Sequence, residues 1–304
     1  MEHIRCNFCG ADDTFVRFPS TMEQENGRPA DPEHFRCTTL SYGQHYRIVQ
    51  CRQCGLVYTD PRRPASAIWT DYEGVVDERY IEEMEGRKAT FRRNIRPLNG
   101  MIETGNGRRL LDVGAHVGVF VEVAHDCGWD AYGLEPSRWA VQEGERRGLN
   151  MIQGGLADAE LPSESFDAVT MWDVVEHLID TMSDIREVAR LLKPGGVFAV
   201  HTIDVDSLFA RVMGKRWPWL VEMHTFFFSP KTLGAMVEQA GLEVEKWHIQ
   251  GRYLHLGYLM SRLSGWNPTL GRLAEGFARL LGIAHWLVPV NFGDLFTLYA
   301  RKPA

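Results

Sequence analysis

The sequence predicts an α/β fold, in which a mainly parallel sheet binds a ligand at the carboxyl ends of its strands. From residue 108 onward, short apolar runs alternate with longer segments of helical periodicity, and strands separated by helices pair in parallel through right-handed crossovers. The first run ends in a glycine-containing turn, LLDVGAHVGVF, at the edge where such sheets bind ligands. Two pairs of cysteines near the start predict an additional small module.

The two cysteine pairs define this N-terminal module. Cys6 and Cys9, like Cys51 and Cys54, are separated by two residues and followed by a glycine, which permits the positive φ of a tight knuckle. Four cysteine sulfurs form the tetrahedral ligand set that Zn²⁺ prefers. We therefore predict a structural zinc ribbon over residues 1–63. The alternatives are four reduced thiols in a small core and a redox pair.

The composition limits the partners and the compartment. Acidic residues outnumber basic ones by 40 to 33, and the net charge is −7, whereas proteins that grip nucleic acid usually present a basic face. Nucleic acid is therefore not an expected partner. The first residues lack a secretory signal pattern, and no apolar run is long enough for a transmembrane segment. We expect a cytoplasmic protein, in which Cys37 and Cys127 are plain thiols and ENGRPADPEH is an inserted loop.

Residues 64–107 are predicted to form a helical segment between the ribbon and the main domain. The stretch from Asp71 to Arg96 is rich in charged residues and carries a broken apolar stripe at helical spacing. The stretch from Asn99 to Gly107 is predicted to be a loop. We expect the segment to lie over the ligand cleft as a lid.

The main domain is predicted over residues 108–304. Its strands are predicted at RRLLDVG, DAYGLEP, LNMIQGG, FDAVTMWDV and GGVFAVHTI, with helices at VGVFVEVAHDCG, SRWAVQEGERRG and DTMSDIREVARLL. Phe296 to Arg301 is predicted to be the last strand. Residues 251–292 are predicted to be an inserted pair of amphipathic helices, interpreted first as ordinary core-facing helices. The alternatives are a cap over an apolar substrate, a contact with a membrane surface, and the interface of a homodimer.

The turn after the first main-domain strand excludes the common phosphate-binding motifs. A dinucleotide fingerprint needs a second glycine where His116 stands, and the lysine of a P-loop is absent from the turn. Asp112 would repel a phosphate but suits an ammonium group. Glu135, at the end of the next strand, can accept hydrogen bonds from both hydroxyls of a ribose. The implied ligand has a ribose and an amino group but no phosphate, and S-adenosylmethionine fits this description.

Residues 108–203 resemble a class I S-adenosylmethionine-dependent methyltransferase. The resemblance is carried by LLDVGAHVGVF, GLEPS, LPSESFDAVTMWDVVEHLID and RLLKPGGVFAVHT. It implies a Rossmann-like seven-stranded sheet whose last strand runs antiparallel. It also implies that the turn wraps the methionine end, that the second strand end binds the ribose, and that later strand ends flank the adenine and close the pocket. The residues so implied in cofactor binding are Asp112, Gly114, Ala115, His116, Gly118, Glu135, Pro136, Gly155, Leu156, Trp172 and Asp173.

His116 is a departure from this resemblance. It stands where a glycine is common, so its backbone must take either an ordinary φ or a strained one. A wider similarity includes the cysteine pairs and HTFFFSPKTLGAMVEQAGLEV. It is to a bacterial family whose members often modify sugars, lipids or secondary metabolites.

Histidines are the candidate catalytic groups, because transfer of a methyl group to a hydroxyl requires a base that works near neutral pH. His224 borders the acceptor region in this fold, and its alternative role is packing beside aromatic residues. His177 lies in VVEH, which resembles the ubiquinone-pathway O-methyltransferases. Asp173, Glu176 and His177 would hold a divalent metal if that resemblance extends so far; otherwise His177 orients the loop. His201 is interpreted as a satisfied core residue.

These observations together predict a zinc-bearing methyltransferase that acts on a small-molecule acceptor. The acceptor atom is predicted to be a hydroxyl of a sugar, a lipid precursor or a secondary metabolite. One alternative is an enzyme that methylates RNA or protein and uses the ribbon as a reader. The other is a binding protein that keeps S-adenosylmethionine affinity without turnover. The segment MGKRWPW is either the floor of the acceptor pocket or a loop anchored by its tryptophans.

Overall fold

The N-terminal part of the chain forms a small antiparallel sheet. The computed structural model describes residues 1–22, 35–102, 107–265 and 267–304, so the predicted loop ENGRPADPEH lies outside the described residues. The strands are β1 (Thr14–Phe18), β2 (Ile48–Cys51) and β3 (Val57–Thr59). They pair in that order, and each cysteine knuckle follows or precedes one of them. Gly10 and Gly55, which close the knuckles, have the predicted positive φ of 74° and 82°.

Three helices follow the small sheet, which confirms the helical character predicted for residues 64–107. They are α1 (Ala65–Glu73), α2 (Glu78–Glu82) and α3 (Met84–Met101). The prediction of a loop from Asn99 was wrong at its start, because α3 continues to Met101. Its last turns bury Leu98 and pack Met101 against the main core, and this packing outweighs the local sequence signal.

The main domain alternates strands and helices as predicted. Its elements up to the last helix before the insertion are β4 (Arg109–Val113), α4 (Val119–Asp126), β5 (Asp130–Glu135), α5 (Arg138–Arg146), β6 (Asn150–Gln153), β7 (Phe166–Trp172), α6 (Thr181–Leu191), β8 (Leu192–Ile203), α7 (Leu208–Met213), β9 (Phe226–Phe227) and α8 (Pro230–Gln239). The remaining elements are β10 (Glu243–Ile249), β11 (Arg252–His255), α9 (Leu256–Arg262), α10 (Pro268–Leu280), β12 (Leu287–Val290) and β13 (Leu295–Arg301).

The central sheet has seven strands in the order β10–β13–β8–β7–β4–β5–β6. Strands β4 to β8 are parallel, and β13 is antiparallel to both of its neighbours. This is the Rossmann-like seven-stranded sheet that was predicted. The chain runs outward from β4 through β5 to β6 and then returns to β7 on the other side of β4. The carboxyl ends of these strands therefore flank a topological switch point, where ligands of such sheets bind.

The small sheet is joined to the main domain. Strand β9 pairs antiparallel with β3, with Val57 opposite Phe227. Cys6 and Cys51 belong to the same buried cluster as Leu111 of β4. The cysteine module and the main domain thus share a hydrophobic core, and the boundary placed at residue 63 stays a prediction.

The insertion contains the two predicted helices, α9 and α10, and also a hairpin that was not predicted. Strand β11 precedes the two helices in the chain and β12 follows them, and the two strands pair antiparallel. Pro289 lies within β12 and obscured the strand in the sequence, because proline within an apolar run argues against a strand. Among the described residues, no helix has both the length and the apolar content that crossing a bilayer requires.

The interpretation of the insertion as ordinary core-facing helices is wrong for α10. Its buried residues are only Gly271 and Ala278, whereas Leu273 and Leu280 are 68% and 82% exposed. Helical periodicity defines an apolar face but does not say what covers it.

Candidate cofactor and acceptor site

The turn between β4 and α4 is built by backbone contacts to β5. The amides of Gly114 and Ala115 both donate hydrogen bonds to the carbonyl of Leu134. Gly114 has φ 68°, and a Cβ at this position would lie 2.5 Å from the side chain of Val174. Gly118, with φ 77°, is the N-cap of α4. The turn therefore requires glycine at both positions.

The sequence left two backbone conformations open for His116, an ordinary φ or a strained one. The structure shows the strained one, with φ 50°. Its backbone amide donates a 2.8 Å hydrogen bond to Glu135. Its ring stacks on Tyr80 of the lid, with centroids 3.7 Å apart. Both ring nitrogens are buried without a hydrogen-bond partner among the described residues. Burial, with the nearby Arg87, lowers the pKa of His116 to about 3, so the ring is neutral.

Two buried carboxyl groups face this turn from adjacent strand ends. Glu135 accepts hydrogen bonds from the amides of His116 and Ser137, and Pro136 stands between Glu135 and Ser137 in the chain. Asp112 accepts a 2.7 Å hydrogen bond from the hydroxyl of Thr170. Burial raises the pKa of Glu135 to about 7 and that of Asp112 to about 8. Such sites favour a ligand that carries positive charge or hydroxyl donors.

Helix α3 places a positively charged side chain, Arg87, near the cofactor turn. The guanidinium of Arg87, on α3, stacks over Tyr80 at 3.6 Å from the ring centroid. Its Nε is buried without a hydrogen-bond partner among the described residues, and its charge acts on Asp173 and Cys37. An arginine whose Nε is unpaired, stacked on the ring that covers His116, suits a carboxylate.

Cys37 was interpreted from the sequence as a plain thiol, and the structure places it at the lid. Ligand atoms of Cys37, Asp77 and His116 lie within 4.8 Å of one another. The carboxylate of Asp77 already accepts hydrogen bonds from the amide and the hydroxyl of Thr38. Cys37 itself is exposed, and its segment contacts the cofactor turn at His116.

The ends of β6 and β7 complete the cleft. Gly155 lies under the indole of Trp69 from α1, and a Cβ there would be 2.6 Å from that ring; Leu156 beside it is buried. Trp172 points into the core, where its ring packs against Phe120.

Asp173 has φ 57° and faces away from the core. It accepts a 3.0 Å hydrogen bond from Arg252 of the insertion. Burial opposes ionisation of Asp173, but Arg252 overcomes it, and the pKa is lowered.

A second cluster lies past the end of β7, where Val175–His177 form a short 3₁₀ helix. His177 and His224 have ring centroids 4.8 Å apart. Their Nδ1 atoms lie 3.0 and 2.8 Å from the backbone carbonyls of Met223 and Trp219. Because a carbonyl only accepts, each Nδ1 carries the proton and each Nε2 keeps a lone pair. Burial lowers the pKa of both histidines.

Glu176 is the third member of this cluster. Its carboxyl, with one nitrogen each from His177 and His224, forms a group of ligand atoms within 4.8 Å. The metal set suggested by the sequence contained Asp173 instead of His224. Glu176 accepts a 2.8 Å hydrogen bond from Thr202, and burial, together with Asp173, raises its pKa to about 8.

The neighbouring residues agree with two further interpretations of the sequence. His201 is buried and bonded to Thr297 at 2.9 Å, so it is a satisfied core residue. In MGKRWPW, the indoles of Trp217 and Trp219 both donate to Asp294, so the segment is anchored by its tryptophans. Trp219 also stacks beside His224, with an interplanar angle of 24°, which gives the acceptor region an aromatic wall.

The four cysteines predicted to bind zinc come together in the small sheet. The Sγ atoms of Cys6 and Cys54 are 3.4 Å apart, and those of Cys9 and Cys51 are 3.6 Å apart. All four sulfurs lie within 4.8 Å of one another. Tetrahedral Zn–S₄ geometry with bonds of about 2.3 Å requires sulfur separations of about 3.8 Å. The sulfur set therefore fits a zinc ion closely.

The sequence missed the residues that the lid and the insertion contribute, namely Trp69, Tyr80, Arg87 and Arg252. In the charged, helical sequence of residues 64–107, nothing distinguishes Arg87 from the neighbouring arginines. The segment of the cysteine module that carries Cys37 likewise has no motif. These residues reach the site through tertiary packing, which local patterns do not specify.

A comparison of the sequence with models of known families agrees with this geometry. Residues 80–246 match the model of a family described as a methyltransferase domain. This chain belongs to that family. The match spans the lid from Tyr80, the cofactor turn, both carboxyl groups and the histidine cluster, so the prediction of an S-adenosylmethionine-dependent methyltransferase is confirmed.

Two curated relatives and one solved structure extend the comparison. A protein of Mycolicibacterium smegmatis named as a probable S-adenosylmethionine-dependent methyltransferase is 30% identical over 170 residues, which are 55% of this chain and 65% of the relative. The ubiquinone biosynthesis O-methyltransferase of Aliivibrio fischeri is 29% identical over 165 residues, 48% of this chain and 70% of the relative. The chain thus spans about two thirds of the length of these relatives.

The structure of an S-adenosylmethionine-dependent methyltransferase from Archaeoglobus fulgidus has a TM-score of 0.50 and 18% identity. The alignment covers 74% of this chain and 100% of the other. At this identity the likeness concerns the fold alone.

The raised pKa of Asp112 predicts a pH-dependent stability. Between about pH 4 and 8 the folded protein holds a proton on this carboxyl that the unfolded chain has lost, so stability falls as pH rises through this window. Asp112→Asn keeps an acceptor for Thr170 but removes the buried acid. We expect the ligand-free variant to be more stable than the parent at pH 8 by at least about 1 kcal/mol, and to match it near pH 4.

Urea denaturation across this pH range measures the effect. Asp126→Asn, at an exposed position of α4, is the matched control and leaves the pH dependence unchanged. Parallel stability curves for the parent and Asp112→Asn would show that Asp112 does not carry the effect.

Proposed function

We propose that this protein transfers the methyl group of S-adenosylmethionine to a hydroxyl of a small-molecule acceptor. The observation that carries the proposal is the pair of neutral imidazoles, His177 and His224, which lie near Asp173 past the end of β7 and each keep an unprotonated Nε2. A hydroxyl acceptor needs a base of this kind. The net charge of −7 disfavours RNA as the acceptor.

The cofactor contacts follow from the charges of the site. Asp112 suits the ammonium group of the methionine end, and its buried carboxyl ionises when that cation arrives. Arg87 suits the carboxylate of the same moiety, because its Nε has no hydrogen-bond partner among the described residues. Glu135 accepts the ribose hydroxyls, and the adenine lies between Leu156 and Trp69. The turn from Gly114 to Gly118 supplies close backbone approach.

In the proposed reaction, His224 takes the proton of the acceptor hydroxyl on its Nε2. The acceptor oxygen forms a bond to the methyl carbon while the bond from that carbon to the sulfonium sulfur breaks. The sulfur leaves as a neutral thioether, and the positive charge passes to the imidazole. The carbonyl of Trp219 holds the ring through Nδ1. Orientation within a closed site accounts for most of the acceleration in such displacements.

A second mechanism is favoured by the cluster of Glu176, His177 and His224, which offers one carboxylate and two imidazoles within 4.8 Å. This donor set suits a divalent transition metal. Such an ion would polarise the acceptor oxygen, while the histidines would then be ligands rather than bases.

Isothermal titration calorimetry tests the cofactor assignment first. The protein is expected to bind S-adenosylmethionine and S-adenosylhomocysteine with micromolar affinity and to leave NAD unbound. Arg87→Met should weaken S-adenosylmethionine binding by about 10- to 100-fold, the loss expected for a charge-assisted hydrogen bond. Arg92→Met, at an exposed position of the same helix, should bind normally. Absent binding of either sulfur compound would reject the assignment.

The base is tested with whichever hydroxyl acceptor an initial screen identifies. His224→Gln should lower kcat by about 100- to 10,000-fold while changing the KM for S-adenosylmethionine little. Since burial lowers the pKa of His224, the acid limb of kcat/KM should lie below pH 6.5. His285→Gln, at an exposed position, is the control. If dialysis against EDTA abolishes activity and a divalent ion restores it, the metal mechanism replaces the base.

We also propose that Cys6, Cys9, Cys51 and Cys54 hold a structural zinc ion. The sulfur separations match tetrahedral coordination. Burial raises the pKa of the Cys6 thiol to about 11, so a cation is needed to hold thiolates at neutral pH.

Elemental analysis and thermal denaturation test the zinc site. The purified protein is expected to carry one zinc ion per chain, and Cys54→Ser to carry none. Because the cysteine cluster shares the main core, losing the metal should lower the Tm of the whole chain by roughly 10 °C. Cys127→Ser should keep the zinc. Full stability of the metal-free protein would show that the four thiols suffice as a core.

A further inference from the structure

Helix α10 carries an exposed apolar face that neither the cofactor nor the acceptor region uses. We define the α10 face as Leu270, Leu273, Phe277, Leu280 and Leu281, whose side chains are 53–82% exposed. Single exposed leucines are ordinary, but five large apolar side chains on one face of one helix are not. A continuous patch of this kind on a protein surface marks an interaction site.

The orientation of α10 shows that this exposure is built into the fold. Gly271 and Ala278 pack toward the protein, and Gly271 lies so close to Ser264 that a Cβ would clash. Arg272 and Arg279 lie on a third side, where Arg279 pairs with Glu275. Small residues therefore determine which side of the helix packs against the protein, and the leucines face the solvent.

The composition of α10 favours an anionic partner. Helix α10 carries two exposed arginines, Arg272 and Arg279, and one acid, Glu275, in a chain whose net charge is −7. Trp286, 56% exposed, lies six residues beyond the end of the helix. Leucine and phenylalanine on one side, arginine on the other and tryptophan at the end are the features of a helix that lies in a membrane interface. We propose that the α10 face docks on an anionic lipid surface.

A second copy of this chain fits the α10 face less well. A two-fold contact sets a surface against itself, so the exposed Arg272 and Arg279 of one copy would approach the same arginines of the other. Anionic lipid head groups instead complement these arginines, and each basic residue near such a surface adds to the attraction.

The insertion connects the α10 face to the lid and the cleft. Arg79 of α2 donates a 2.7 Å hydrogen bond to Ser261 at the end of α9. Arg262 donates to the carbonyls of Thr38 and Thr39 in the segment that carries Cys37. Docking would therefore place the lid side of the cleft next to the lipid. It follows that the acceptor is a molecule carried in the membrane, a consequence that rests on the proposed function, whereas docking itself does not.

Vesicle co-sedimentation of the full chain tests the docking. Vesicles of phosphatidylcholine and phosphatidylglycerol, mixed at about three to one, should bind the protein, and binding should weaken with added salt. Vesicles of phosphatidylcholine alone should bind it far less. The double variant Leu273→Glu/Leu280→Glu should lose at least about tenfold in affinity, because two leucines no longer enter the interface.

Val16→Glu is the matched control, since it adds the same charge at another exposed apolar residue, on β1, and it should bind vesicles normally. Circular dichroism and calorimetric S-adenosylmethionine binding confirm that each variant is folded, and neither measurement depends on lipid. Equal binding of the double variant and its parent would overturn the proposal. So would a parent dimer in light scattering that the double variant breaks without any vesicle binding, because a second copy would then occupy the α10 face.

Discussion

The carboxylate of Glu135 holds the site together. One of its oxygens accepts the amide of His116 in the cofactor turn, and the other accepts the amide of Ser137 at the start of α5. Ser137 in turn donates through its hydroxyl to the carbonyl of Val75 in the lid. The turn, the end of β5 and the lid are thus joined through one buried side chain. The left-handed backbone of His116 persists because this contact, with the ring stack on Tyr80, compensates for its strain.

The same contacts show what a sequence can and cannot specify here. The strands, the turn and the acids at Asp112 and Glu135 were predictable, because buried parallel strands and glycine-dependent turns leave local signals. The cysteine cluster was predictable for the same reason. The roles of Tyr80 and Arg87 were not, since they depend on how α3 packs across the sheet. Likewise, the periodicity of residues in α10 predicted a helix but not that its apolar face is exposed.

The cysteine module is part of the acceptor region rather than an appendage. Strand β3 extends to β9, and the hydroxyl of Thr59 donates to the carbonyl of His224 while its amide donates to the carbonyl of Thr225. The first knuckle also contacts α6, where Asn7 bonds Asp180 and the amide of Met182. A metal held by four sulfurs would thus stiffen the support behind the histidine pair.

The buried carboxyl of Asp112 links ligand binding to pH. With a pKa near 8, Asp112 retains its proton at the pH of most cells, and a cationic ligand must displace it. On the proposed assignment, each molecule of S-adenosylmethionine that enters drives a proton out into the solvent. Saturation of the enzyme would then rise with alkalinity, so the cofactor occupancy of this protein would follow the acid–base state of its surroundings.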